Sequence, residues 1–404
     1  MNRRFEILVA GGGITGLTLA ALLGTGPASD RLSVRVVDAN APPRFDPKGD
    51  VSLRVSAISK GSSRLYASLG VWERVLAVRG CPFHAMRVWD ARAEVGGTGT
   101  LRFDADEFAL PELGFIVENV LLQQALLDVV ERSGVEVSFG TPIRLLRSVN
   151  ERFEVELENG VTARPEVVVG ADGASSLVRG QARIGSFVRR YGQSAFVTHL
   201  RPEHDHRHIA WQRFLAEGPL ALLPLEDGRV SVVWSTTPAR ADDAIEMSDG
   251  DLGELLTGAS DRVLGWLAPA GPRGRFALKA QHAARYAARG LALIGDAAHS
   301  IHPLAGQGAN LGIADAAVLA RRIAEAVRAG EYPGDLPVLR RYERARRGAN
   351  AAMLNFVDAL NRLFAYESTP VAGLRRAGMV LFNQSGPLRR RVVEAALGVH
   401  DHPR

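Results

Sequence analysis

The sequence predicts an α/β protein in which a parallel sheet of the nucleotide-binding type is interleaved with an antiparallel β-sheet domain and followed by C-terminal helices. Three observations carry this expectation. The chain opens with a strand, a glycine-rich turn, a helix and a second strand. Strand patterns with Asn-Gly and Asp-Gly turns dominate the middle, and a late apolar strand runs into another glycine-rich turn and a long helix. At 404 residues the chain exceeds one average domain, so two closely packed domains are expected.

Phe5 to Ala10 (FEILVA) reads as a buried strand. GGGITG follows, then LTLAALL, which has helix-forming composition and ends at Gly24 and Gly26; Ser33 to Asp38 (SVRVVD) is the second strand. This βαβ opening supplies the context that a bare match to the spacing of Gly11, Gly13 and Gly16 lacks, and it makes the first domain Rossmann-like. The glycines allow a tight turn, close approach of backbone to a pyrophosphate, and helix-to-strand packing. The helix N-terminus then faces the anion, and Asp38 stands where a ribose hydroxyl would be received. Ser62 to Val78 and Val120 to Arg132 look helical, and Val135 to Phe139 has a strand pattern.

Strands then dominate. Val155 to Gly170 contains the Asn159-Gly160 turn and the run Val167-Val168-Val169, which leads into Ala171-Asp172-Gly173. From about Phe187 to Lys279, strand candidates such as Leu220 to Leu225 and Val230 to Ser235, joined across Asp227-Gly228, indicate an antiparallel second domain. Leu291 to Ile294 is a short buried strand before the second glycine-rich turn, and from about Pro337 the chain is helical. No internal repeat or long linker occurs, so the domains are interleaved: 1–75, 115–180 and 280–335 form the nucleotide-binding domain, 76–114 and 181–279 the substrate domain, and 336–404 a helical region.

Composition excludes several classes. The single cysteine, Cys81, can form neither an internal disulfide nor a metal site alone, which fits a reducing compartment. Asn2-Arg3-Arg4 before an apolar stretch imitates a secretory signal, but Glu6 and Gly11-Gly12-Gly13 interrupt it. No run of about 18 uncharged apolar residues occurs, so a cytoplasmic protein without a membrane span is expected. The formal charge is +5, and Arg340 to Arg404 holds 12 Arg against 5 Asp or Glu, so the basicity belongs to the C-terminal segment. Its basic residues surround no nucleic-acid reader motif. The cluster His199, His204, His206, His208 reads as a solvated loop, and no metal is expected.

The first glycine-rich turn does not distinguish FAD from NAD. Gly295-Asp296, after an apolar strand, puts a carboxylate where it can accept hydrogen bonds from a ribityl hydroxyl. Gly306-Gln307-Gly308-Ala309-Asn310 then opens a helix whose N–H groups can face the electron-rich pyrimidine edge of a flavin, so FAD is the expected cofactor.

Three fingerprints stand in order: GGGITG with Asp38, GADGASSLVR at Gly170 to Arg179, and GDAAHSIHPLAGQGANLGIAD at Gly295 to Asp315. With them the sequence resembles the class A flavoprotein aromatic hydroxylases, the p-hydroxybenzoate hydroxylase-like group, and within that group the ubiquinone-biosynthesis hydroxylase family. Smaller matches include Arg54 to Ile58, Glu118-Asn119 with Gln123, Trp211 to Phe214 and Tyr342 to Arg344. The resemblance implies that Arg54 and Gln123 contact the flavin nucleotide or its ribityl chain and that Asp172 serves both FAD and NAD(P)H binding. It also implies the reaction: NAD(P)H, visiting a surface groove, reduces the flavin, dioxygen adds at flavin C4a, and the hydroperoxide hydroxylates a phenol.

By the same alignment His302 and Pro303 lie beside the flavin ring, where His302 could orient or deprotonate the phenol, while His299 hydrogen-bonds within its loop. Trp211, Phe214 and Leu220 to Pro224 are candidate pocket walls. A polyprenylated substrate would have to be met at the inner face of a membrane or delivered by a lipid carrier or assembly partner. Met379 to Phe382 with Arg375, Arg376 and Arg389 to Arg391 resembles a basic amphipathic surface, and a homo-oligomer interface accounts for it equally well. Two alternatives stand beside this reading: a hydroxylase of a soluble aromatic or polyketide substrate, and a flavin-binding assembly protein with little turnover.

Overall fold

The structure is a computed structural model and describes residues 4–97, 99–302, 307–365 and 369–398. Phe5–Ala10 lies between Leu32–Val37 and Val167–Gly170, both parallel to it. Glu136–Ser138 and Leu291–Leu293 continue the same six-stranded sheet in parallel on either side. Ile7, Leu8, Val9 and Val167 to Val169 are wholly buried. Such continuous apolar runs belong to strands covered on both faces. Helix Ile14–Thr25 packs against helices Asn119–Arg132 and Gln307–Arg328. The helix expected over Ser62 to Val78 is two, Lys60–Ser68 and Trp72–Leu76, because Gly70 (φ 67°) takes the left-handed conformation that ends a helix.

The second sheet is built from Ser186–Pro202, Ile209–Leu215, Gly218–Pro224, Val230–Thr236 and Gly274–Ala283, with Ala85–Asp90 and Leu101–Asp104 at one edge. Asp227-Gly228 turns between two of its antiparallel strands, as expected, and Asn159-Gly160 does the same in a small three-stranded sheet. One pairing departs from the antiparallel expectation: Ala85–Asp90 runs parallel to Ile209–Leu215. A long stretch of chain separates those strands, so no hairpin dictates their direction. Cys81–Phe83 pairs with Gly114–Glu118, which also pairs with Val55–Ser59, so this stretch of 76–114 is tied to a third sheet.

The faces of the second sheet differ. Phe196, Leu200, Leu220, Leu222, Val232 and Trp234 pack with helices Pro238–Glu246 and Asp249–Ala259 into a closed core. The opposite face carries Gln212, Ala221, Val233 and Val197 in one register line, with Phe276 nearby on the same side. The Arg54 guanidinium of the nucleotide-binding domain lies 5.5 Å from the Phe276 ring centroid, so this face looks toward that domain. Helix Leu336–Ala365 spans the two, touching helix Gln307–Arg328 and strands Ile209–Leu215 and Gly218–Pro224. Thr369–Gln384 and Pro387–Ala396 complete the helical region.

Strand alternation corrects two earlier expectations. Leu220 and Leu222 belong to the closed core with Trp211 packed against it, so of the proposed walls Phe214, Ala221 and Leu223 face the open side. The histidine cluster is only in part a solvated loop: His204 is exposed on a bend, but His199 and His206 are buried, and His206 and His208 bond to the carbonyls of Leu225 and Pro82. Among the described residues no His, Cys, Asp and Glu converge on a set able to hold a metal.

Candidate flavin site and adjoining cavity

Gly11 has φ 116°, and a Cβ there would run into the Ala171 carbonyl; a Cβ on Gly16 would run into the carbonyl of Gly11 itself. Gly13 caps helix Ile14–Thr25 without a side-chain cap, and nothing lies within 4 Å of the place its Cβ would occupy. The first helical N–H groups thus have no side-chain cap, which leaves them for an anion. The Asp38 carboxylate accepts from Gly12 N at 2.6 Å and Asn40 N at 2.7 Å, which fixes it at the strand end with lone pairs to spare for a sugar hydroxyl.

Gly295-Asp296 stands directly across from this turn. Gly312 of helix Gln307–Arg328 comes so close that a Cβ would lie 2.5 Å from Thr15 Oγ1 and 3.3 Å from Gly295 Cα. Two helix N-termini and the Asp296 turn thus converge. Asp296 makes no hydrogen bond to protein among the described residues. It is open to solvent but deep in a concavity; loss of surrounding water raises its pKa, against the pull of His299, Arg54 and Lys279. A carboxylate placed so, with free acceptors facing a groove, fits a ribityl chain.

The neighbouring Asp315 is the opposite case. Wholly buried, it accepts from Gly295 N at 3.1 Å, His299 Nε2 at 2.5 Å, Arg346 Nε at 2.8 Å and Asn350 Nδ2 at 3.0 Å. Burial alone would raise its pKa, yet His299 and Arg346 outweigh it and hold the carboxyl at about 2. His299 therefore bonds across to the helix and not within its own loop. No motif included Arg346 or Asn350, and only the spacing Arg346–Asn350 on one helix face could have hinted at them.

The remaining predicted residues divide. Asn310 donates to Ala57 O at 2.8 Å and accepts from Ser59 N at 3.0 Å and Ser62 Oγ at 2.9 Å, so its amide pins the helix start, beside Gly308 and Ala309, to the third sheet. Gln123 is half-buried without a protein hydrogen bond among the described residues, and Arg54 is exposed. Asp172 is engaged inside its own loop, accepting from Ser176 Oγ at 2.5 Å and Val178 N at 3.0 Å. His302 is buried, with burial pushing its pKa down to about 4, and its Nε2 lies 3.2 Å from Gln193 Oε1. Gln193 Nε2 donates to Glu217 O at 2.6 Å, so Oε1 faces His302 and the imidazole hydrogen is assigned to Nε2. Pro303 and Gly306 lie outside the described residues.

Beside this site a cavity of about 1210 Å³ runs between the open sheet face and the C-terminal helices. Met86, Phe103, Phe214, Met353, Val357 and Phe364 give it apolar walls, and Asn310 and Leu311 reach it from the helix of the flavin site. Phe356, Leu363 and Val392 line it and are also solvent-exposed, which marks its mouth.

A single dinucleotide-binding sheet, a second helix N-terminus aimed at the same groove and a substrate-sized cavity against a second sheet define a flavin-dependent oxidoreductase. A family model described as "FAD binding domain" matches residues 4–357. The chain belongs to that family and is an FAD-dependent monooxygenase, for which NAD(P)H is the typical electron donor. It is 36% identical over 400 residues, 98% of this chain and 100% of the other, to the 3-demethoxyubiquinol 3-hydroxylase of Escherichia coli (strain K12). It is 38% identical to ubiquinone hydroxylase UbiL of Rhodospirillum rubrum, over 97% of this chain and 89% of that one. The human mitochondrial ubiquinone biosynthesis monooxygenase COQ6 is 32% identical over 97% of this chain and 92% of its own. The fold is shared with PqsL from Pseudomonas aeruginosa (TM-score 0.76, 23% identity, 93% and 99% of the chains). It is shared as well with HpxO of Klebsiella pneumoniae, solved with FAD and uric acid (TM-score 0.73, 17% identity, 100% and 98%).

Proposed function

We propose that this monooxygenase hydroxylates the phenolic ring of a polyprenylated ubiquinone precursor. The observation that carries this reading is the apolar cavity: it is larger than one aromatic ring requires, and it leads from the flavin-facing helix start to a mouth in the helical region. An isoprenoid tail gains from such walls by the burial of each apolar methylene, about 0.8 kcal/mol apiece.

In this reading Gly11, Gly13 and Gly16 admit the pyrophosphate, Asp38 takes the adenosine ribose, and Asp296 with Gln123 and Arg54 takes the ribityl side. The N–H groups at Gly308, Ala309 and Asn310 face the pyrimidine edge of the ring system. Activation of dioxygen is the chemistry FAD supplies when bound. The protein contributes orientation and exclusion of water, the latter through the Phe214, Met353 and Val357 walls. His302 bonds Gln193 through Nε2 and so ties the flavin-side loop to the sheet, while its Nδ1, without a partner among the described residues, is left to orient or deprotonate the phenol. No helix among the described residues is long and apolar enough to cross a membrane. The mouth, with exposed Phe356, Leu363 and Val392 beside Arg390 and Arg391, suits peripheral contact with an anionic lipid surface.

The test is turnover by the FAD-loaded enzyme: oxidation of NADH or NADPH with gain of one oxygen by a phenol bearing a short prenyl chain, at a KM well below that for the same phenol without it. Equal KM values for the two would overturn the reading in favour of a small soluble aromatic.

A further inference from the structure

Gln212 is buried, 5% exposed, in the middle of strand Ile209–Leu215. Among the described residues its amide has no protein hydrogen bond, yet it lines the cavity. Its cross-strand neighbours are Val88 and Ala221, which offer no side-chain partner. The residue is buried but its amide opens onto the cavity, so what meets the amide there is water or a ligand, and packing alone does not account for glutamine here. The other polar groups on the deep wall are already used: Asn310, Ser59 and Ser62 bond to one another, and Arg346 bonds to Asp315.

The position is a boundary. On one side lie the apolar walls of Phe214, Met86 and Val88. On the other, Ala221 and Val233 remain half-exposed although they sit mid-sheet, so the face over them is open, on the side where Arg54 covers Phe276. Small side chains under an open face leave room for a flat ring. Resting on the proposed tail-binding reading, we propose that the Gln212 amide hydrogen-bonds an oxygen substituent of the substrate ring and so sets where the ring stops between the tail cavity and the flavin.

The test uses FAD-loaded enzyme and two probes: a phenol with one short prenyl chain and the same prenylated ring without its hydroxyl, their binding read from perturbation of the flavin absorbance. The wild type should prefer the phenol about tenfold, the worth of one hydrogen bond. Gln212→Met, matched in volume, should abolish the preference while still binding the deoxy ring and keeping its FAD; Gln212→Asn, which keeps an amide but shortens its reach, should lose most of it. Phe214→Leu, on the same wall, should weaken both probes together. An unchanged preference in either Gln212 variant overturns the proposal. A third probe, the phenol without its prenyl chain, separates the two readings: if the wild type binds it as well as the prenylated phenol, the tail reading fails instead, and the hydroxyl preference still decides the role of Gln212.

Discussion

Asp315 and Gln212 are both buried polar side chains near the same groove, and they are treated oppositely. The carboxylate of Asp315 is saturated by four donors drawn from the flavin turn and one helix. The amide of Gln212 is met by none of the described residues. A saturated group holds the protein together; an unmet one waits for something from outside. The same contrast separates Asp315 from Asp296, which directly follows Gly295 and has free acceptors facing the groove.

Four changes would break or sharpen that contrast. The largest effect belongs to Asp315→Ala, which strands Arg346 without its anion and should cost about 3–5 kcal/mol in denaturant unfolding. The pH dependence has a definite sign. The folded carboxyl titrates at about 2 against an ordinary value of 3.8, so its contribution is complete above pH 4 and drains away as the pH falls toward 2. If the alanine variant unfolds with wild-type stability, the network is ornamental.

Asp296→Ala should instead leave unfolding nearly unchanged and weaken FAD binding by about 1.5–3 kcal/mol, measured by titrating the apoprotein with FAD. Stoichiometric FAD retained at wild-type affinity would remove Asp296 from the site. Gly11→Ala brings a Cβ against the Ala171 carbonyl at a positive φ and should cost about 1–3 kcal/mol, seen as a lower melting temperature together with flavin loss. A variant that keeps both would mean the turn has slack.

The smallest effect concerns His302. Its folded pKa of about 4 lies below the ordinary 6.5, so the unfolded chain takes the proton first and stability falls as pH drops from 6.5 to 4. Comparing wild type with His302→Asn over that range should show the slope reduced by this one proton. An inflection in kcat/KM between pH 6 and 8 that disappears in His302→Asn would establish the histidine as a base.

The flavin turns were legible because their chemistry is local: a turn, a capless helix start and a carboxylate at a strand end are each written in a few consecutive residues. Asp315 closed the third fingerprint, but its purpose depends on Arg346 and Asn350, a helix away, and no spacing announces a partner that only tertiary packing supplies. Gln212 sat inside the motif Trp211 to Phe214, where alternation tells that it and Trp211 face opposite sides but not which side is open. That followed only from knowing which face the helices Pro238–Glu246 and Asp249–Ala259 had covered. The parallel pairing of Ala85–Asp90 was hidden for a related reason, since hairpin signals speak only for strands adjacent in sequence.

Helix Leu336–Ala365 has one more consequence. Near its beginning, Tyr342 donates to the carbonyl of Leu293 at 2.7 Å and Arg346 grips Asp315, while further along Met353, Val357 and Phe364 line the cavity. It is a single stiff rod with one end seated on the cofactor's side of the molecule and the other on the substrate's. On the proposed reading, a substrate tail under the far end would press on the same rod whose near end carries the Tyr342 and Arg346 contacts to the flavin side.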